Sequence, residues 1–268
     1  MIKTFRARDY GCLLDVTASL TPLHAFIGPN DSGKSTLLRW MRTASAARLV
    51  RFDPDALRKP SGLPEVQSGD LMDERGFGLP GVYFALRSHG DDVFSSIVDD
   101  VRRCFKAVQG LSVKAVTPST VALEVELRNG ARVSAERMSK GLLCYLAFAA
   151  LRHLQPASLL LVEEPENGFH PVLILEVIKI LRAIVNETGT QVVLTTHSPL
   201  VINELEPEEV SIVTRTEEAG TKVTPIVETH NFAKRSSIYS LGELWLSYAN
   251  GVDEEPLLHG REPPLEYS

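Results

Sequence analysis

Residues 23–36 read Leu-His-Ala-Phe-Ile-Gly-Pro-Asn-Asp-Ser-Gly-Lys-Ser-Thr. A short apolar run ends at Gly28, and beyond it Leu37, Leu38, Met41 and Ala44 recur at helical spacing with no Pro or Gly between them. This predicts a buried strand, a glycine-rich turn, and a helix from Lys34 to about Ala47. The turn, Gly28, Pro29, Asn30, Asp31, Ser32, Gly33, Lys34 and Ser35, with Thr36 next, matches G-x-x-x-x-G-K-[ST]. For this composition a chance match has odds of about one in two hundred, and the strand before and helix after lower them further. In such a loop successive backbone N–H groups and the helix N-terminus surround anionic phosphates. Lys34 would reach the β- and γ-phosphates, and the Ser35 hydroxyl would bind Mg²⁺.

Two more apolar strands are expected at Leu159 to Val162 and Val192 to Thr195, with a helix at Val172 to Val185 between them and another at Ser139 to Leu154. Alternating buried strands and helices predict an α/β fold with a mostly parallel sheet. In such sheets ligands bind beyond the carboxyl ends of the strands. There the chain carries Glu163-Glu164-Pro165 and Thr196-His197-Ser198-Pro199. Glu163 is expected to hold the metal, Glu164 to orient or deprotonate an attacking water, and His197 to hydrogen-bond the γ-phosphate.

Working outward, residues 2–8 and 12–18 are expected to be antiparallel N-terminal strands. Residues 48–80, with Pro54, Pro60 and Pro64, form a loop-rich excursion. Val93, Ile97, Val101, Phe105 and Val108 make the stripe of an amphipathic helix. Strands fill 113–133, with a turn at Asn129-Gly130. The expected division is a core of residues 1–47 and 136–250, a small inserted α/β lobe at 48–135, and a flexible acidic tail at 251–268.

Hydrophobic residues make up 44% and charged residues 23% of the 268, enough to bury a sizeable core. Apolar runs such as Gly141 to Leu151 fall short of the ~20 residues that span a membrane, so no span is expected. Cys12, Cys104 and Cys144 form no CxxC pair, and the first ten residues carry charges, so a cytoplasmic chain with reduced thiols is expected. The net charge of −6 is unevenly distributed. The last 18 residues hold five acids and one Arg, while Arg39, Arg42, Arg48, Arg51, Arg58 and Lys59 against Asp53 and Asp55 give residues 39–59 a net of +4. The whole-chain charge therefore does not exclude DNA as a partner.

Gly28 to Ser35 (Walker A), Met138-Ser139-Lys140-Gly141 (signature), Glu163 to Pro171 (Walker B with D-loop) and Thr196 to Pro199 (H-loop) occur in this order. In this the chain resembles the ABC-type ATPases of the SMC/RecF-like branch, and within it the short, OLD-like stand-alone ATPases. Ser240-Leu-Gly-Glu-Leu-Trp245 is also similar to that group. The resemblance implies a P-loop NTPase that binds ATP and Mg²⁺ between the two subunits of a homodimer. Ser139, Lys140 and Gly141 of one chain would meet the γ-phosphate bound by Lys34 of the other, and Asn167 and His170 would lie at the interface. It also implies regulation of a separate effector protein or of a DNA-linked process, in DNA repair or anti-phage defence.

Three departures stand out. Glu163 takes the place of the usual Asp, Lys140 that of Gly or Arg, and no convincing Q-loop exists, since Gln67, the sole glutamine in the stretch before the long helix, reads as a surface residue. The 104 residues from Ser35 to Ser139 sustain no heptads, so no coiled-coil arm is expected, and the 71 after His197 hold no Asp-x-Asp of a fused nuclease. The alternative is the nucleotide-binding subunit of a membrane transporter, whose signature is normally Leu-Ser-Gly-Gly-Gln where this chain has Met-Ser-Lys-Gly-Leu. A metal-dependent hydrolase built on Glu163, Glu164, Glu166, His170 and His197 would leave the phosphate loop unexplained. Glu166 and His170 at i, i+4 read equally as a helix-surface pair.

Overall fold

The computed structural model describes residues 1–63, 72–154, 157–216, 218, 220–229 and 232–248, so Gln67 and the 251–268 segment lie outside the described residues. The strands are β1 (Thr4–Tyr10), β2 (Leu13–Ser19), β3 (Leu23–Ile27), β4 (Arg48–Val50), β5 (Ser61–Gly62), β6 (Val108–Thr117), β7 (Thr120–Leu127), β8 (Arg132–Ser134), β9 (Leu159–Glu163), β10 (Gln191–Thr196), β11 (Val210–Thr216) and β12 (Gly220–Pro225). The helices are α1 (Lys34–Ala44), α2 (Pro54–Leu57), α3 (Leu79–His89), α4 (Asp91–Cys104), α5 (Lys140–Leu151), α6 (Pro171–Thr188), α7 (Pro199–Ile202), α8 (Phe232–Ser236) and α9 (Leu241–Tyr248).

The described chain divides into two compact units: residues 1–49, 157–166 and 184–268, and residues 50–156 and 167–183. In the first, the sheet runs in the order β12-β11-β3-β10-β9-β4. β11, β3, β10 and β9 are mutually parallel, and β12 turns back antiparallel on β11. All residues of β3 and β10 are buried, as their apolar runs require of strands covered on both faces. β1 and β2 form a separate antiparallel ribbon, as expected. Phe5, Leu13 and Val16 of the ribbon join Leu37, Leu38 and Met41 of α1 and Phe26, Leu161 and Val193 of the sheet in one core. Phe5 meets Phe26 edge-on, with ring centres 6.2 Å apart.

In the second unit β6 and β7 pair as a long hairpin, and β8 returns on β7 through the turn at Asn129-Gly130, where Gly130 has φ 80°. The amphipathic stripe stops earlier than its spacing suggests. α4 ends at Cys104, Phe105 leaves helical geometry at φ −119° and ψ 88°, and Val108 opens β6. α3 stands where the loop-rich reading ended, with Pro80 in its first turn.

The unit boundary falls after Pro156, whereas the expected lobe ends at 135. The reason is α5, whose residues Leu142 to Leu151 are all buried. A helix apolar on all sides must be enclosed, and α5 packs on α2 and α3, with the Tyr83 hydroxyl donating to the Leu146 carbonyl at 2.9 Å.

Candidate functional site

Parallel register assembles the site within the first unit. Thr196 of β10 lies opposite Ile27 of β3, and Thr195 lies opposite Glu163 of β9. The residues that follow these positions, Gly28, His197 and Glu164, therefore emerge side by side at the carboxyl edge of the sheet.

The loop from Gly28 to Gly33 is shaped by glycine at both ends. A Cβ at Gly28 would lie 2.2 Å from the Val213 carbonyl oxygen, and one at Gly33, where φ is 103°, would lie 2.3 Å from Thr221 Oγ1. No other residue fits either position without displacing backbone or β12. Thr221 also ties the loop down, donating from Oγ1 to the Ser32 carbonyl at 2.9 Å and from N–H to the Cys12 carbonyl at 2.9 Å. Pro29 is half-buried, Asn30 and Asp31 face solvent, and Asp31 takes a positive φ of 69°. Ser32 is buried, and its hydroxyl has no partner among the described residues. Lys34, 7% exposed, folds back over the loop and donates to the carbonyls of Gly28 and Pro29, each at 2.7 Å. No side chain caps the start of α1, which leaves that end suited to an anion. Thr36 sits half-buried in its first turn, near Gly11.

The Ser35 hydroxyl donates to Glu163 Oε1, so the extra methylene of Glu163 relative to Asp does not keep its carboxylate from the loop. Hard oxygen donors meeting at one point suit a divalent cation. Glu164 follows with φ 46°, a left-handed conformation that costs a non-glycine residue about 1 kcal/mol. Its N–H donates to the Thr195 carbonyl at 3.0 Å, and Pro165 disfavours the right-handed alternative. The turn brings Glu164 Oε1 to 3.5 Å from His197 Nδ1.

Sequence reasoning missed the role of Glu166. It belongs to no helix, since α6 begins only at Pro171, so the i, i+4 surface pair with His170 does not form. Its buried carboxylate accepts from Thr196 Oγ1 at 2.6 Å and from the His197 N–H at 3.2 Å. The acidic run after β9 was the available signal, but the inward turn of its last member depends on tertiary structure.

The remaining expected site residues belong to the second unit. Ser139 is exposed and caps α5, its Oγ accepting from the Leu142 N–H at 3.3 Å. Lys140 is exposed. Gly141 faces the D-loop closely, since a Cβ there would lie 3.4 Å from the Gly168 carbonyl oxygen. Asn167 and His170 are exposed on either side of Gly168, which has φ 86°. The Arg58 guanidinium donates to the Met138 carbonyl at 3.2 Å and pairs with Asp55 at 2.8 Å, so this member of the basic stretch is committed within its own unit.

An SMC head solved bound to the C-winged helix domain of ScpA superposes with a TM-score of 0.61 at 12% identity, covering 83% of this chain and 97% of that one. The fold is that of an SMC head. Weaker likenesses include the SMC head domain of Thermotoga maritima, with TM-score 0.49 and 13% identity over 84% of this chain and 98% of that one. CbiO1 of Clostridium perfringens, part of the ABC transporter complex CbiONQ, gives 0.47 and 17% over 85% and 86%. Residues 71–203 match the family described as "AAA domain, putative AbiEii toxin, Type IV TA system". That match takes in Met138 to Gly141, Glu163 to Pro171 and Thr196 to Pro199 and begins after the Gly28 to Ser35 loop. A search of curated proteins found no significant match. Among the described residues no helix is long and apolar enough to cross a membrane.

Proposed function

We propose that this chain is an Mg²⁺-dependent ATPase that works as a nucleotide-linked homodimer and switches a separate effector or a DNA-linked process. The observation that carries the reading is the hydrogen bond from Ser35 to Glu163. It joins the hydroxyl of the phosphate loop to the first acid of the neighbouring strand, the pair expected to hold the metal. When bound, the cation would neutralise charge on the phosphate oxygens.

The chain's own groups take the remaining roles. Backbone N–H groups of residues 30–36 bind the phosphates, and Lys34 exchanges its two carbonyl partners for phosphate oxygens. Glu164 orients the attacking water and accepts its proton, and His197 donates to the γ-phosphate. Exposed Ser139, Lys140 and Gly141 at the head of α5 would complete the site of a second copy, with Asn167 and His170 beside them. The functional division is the core of residues 1–47 and 136–250 with the lobe of 48–135 as its accessory, in a cytoplasmic protein. The match to a family described as a putative toxin of a type IV toxin–antitoxin system supports an effector system, and the setting we propose is anti-phage defence or DNA repair.

The test is Glu164→Gln. It should reduce ATP turnover by about 100-fold or more while ATP binding, followed calorimetrically, is retained and the dimer accumulates in size-exclusion chromatography with light scattering. Wild-type turnover rates in this variant would remove Glu164 from the reaction.

A further inference from the structure

We infer that Glu166 is the positioning residue for His197, its buried carboxylate fixing the turn after β10 and so the place of the imidazole beside Glu164. This rests on the ATPase reading for its catalytic consequence, but the geometry stands apart from it. Glu166 is 9% exposed, and its Oε1 receives two donors from consecutive residues, the Thr196 hydroxyl at 2.6 Å and the His197 N–H at 3.2 Å. Thr196 Oγ1 in turn accepts from the Ser198 N–H at 3.0 Å, so one carboxylate organises the whole turn. Hydrogen bonds to a charged acceptor are the strong ones.

The His197 ring has no comparable hold of its own. Its side chain is 51% exposed, with Nδ1 3.5 Å from Glu164 Oε1 and 3.8 Å from Glu166 Oε1. Packing does not confine a half-exposed imidazole, so its position is inherited from the backbone that Glu166 holds. Glu166 Oε2 is buried with no partner among the described residues. With one oxygen occupied and the other enclosed, Glu166 is poorly placed to take a proton from water, whereas Glu164, with 30% of its side chain exposed, stands toward solvent.

The experiment compares Glu166→Gln, Glu166→Ala and Thr196→Val in the full chain. Gln keeps an acceptor oxygen in place of Oε1, and Ala removes it. Hydrogen exchange at the His197 amide, measured without nucleotide, should rise about tenfold in the Ala variant and stay within about threefold of wild type in the Gln variant. Under saturating ATP the Ala variant should lose about 100-fold in kcat with KM changed less than about threefold, as for a catalytic group displaced by about 1 Å. Gln should restore most of that loss.

Thr196→Val removes one of the two donors and provides a milder variant should Ala fail to fold. It should slow turnover less than Ala and show no further loss when combined with it. A Gln variant as inactive as Ala, with wild-type exchange at His197, would overturn positioning in favour of a direct chemical role. Wild-type exchange and kcat in the Ala variant would remove Glu166 altogether. Absence of ATPase activity in the wild-type chain would instead refute the functional reading, while the exchange measurement would still decide the positioning.

Discussion

Lowering the pH from 7 to 5 should cost the fold about 2 kcal/mol through one side chain, His24. His24 lies in β3, 2% exposed, with its ring edge-on to Phe26. Nδ1 accepts from the Thr21 N–H at 3.4 Å, which leaves Nε2 to donate to Ser211 Oγ at 3.1 Å. The neutral ring is thus satisfied at both nitrogens, and a second ring proton would face an N–H. Burial holds the pKa down to about 4 against an ordinary 6.5, with nearby Glu209 pulling weakly the other way. As pH falls the unfolded chain binds this proton first, so the stabilisation is whole above 6.5 and gone below about 4. A shift of this size corresponds to about 3 kcal/mol in total, of which about 2 is lost by pH 5. Urea unfolding of wild type and His24→Gln at several pH values isolates the effect from other titrating groups. The stability advantage of wild type should shrink by about 2 kcal/mol between pH 7 and 5. A difference between the two proteins that is constant over this range would refute the argument.

The other predictions concern the loop and the dimer. Gly28→Ala should abolish ATP binding and cost about 1–3 kcal/mol in denaturant unfolding, because the new methyl meets a backbone carbonyl that cannot yield. Gly130→Ala, at φ 80° with open space around it, should cost only about 1 kcal/mol and leave ATP binding intact. Lys34→Ala and Ser139→Arg chains should each be inactive alone, yet an equal mixture should recover about a quarter of wild-type activity, since half the dimers pair one intact loop with one intact signature. No recovery on mixing, with subunit exchange verified, would mean that Ser139 does not act across a dimer.

The parallel core was readable in the sequence because its signals are local. The runs at β3, β9 and β10 have no polar alternation, and each is followed by a turn or an acidic pair. The errors fell where a local rule met a tertiary constraint. Val108 continues the spacing of α4, but pairing with Leu127 draws it into β6. The loop-rich reading of residues 48–80 runs over the first two residues of α3, although Pro in the first turn is compatible with a helix start.

Glu163-Glu164-Pro165-Glu166 shows why the site was legible only in part. Strand alternation would place Glu164 and Glu166 together on the face opposite Glu163. The chain departs from that pattern at Glu164, where φ of 46° ends β9 one residue before the proline. The three acids then diverge: Glu163 accepts from the Ser35 hydroxyl, Glu164 stands toward His197, and Glu166 turns inward to hold Thr196 and the His197 amide. The acid pair at a strand end could be read from sequence because it needs only a buried strand beside a phosphate loop. The burial of Glu166 could not, because it depends on β10 lying parallel beside β9 in a register that sets Thr195 opposite Glu163. A one-residue slip in that register would send the Thr196 hydroxyl to the other face of the sheet, leaving the Glu166 carboxylate without its closest donor and the turn carrying His197 without its anchor.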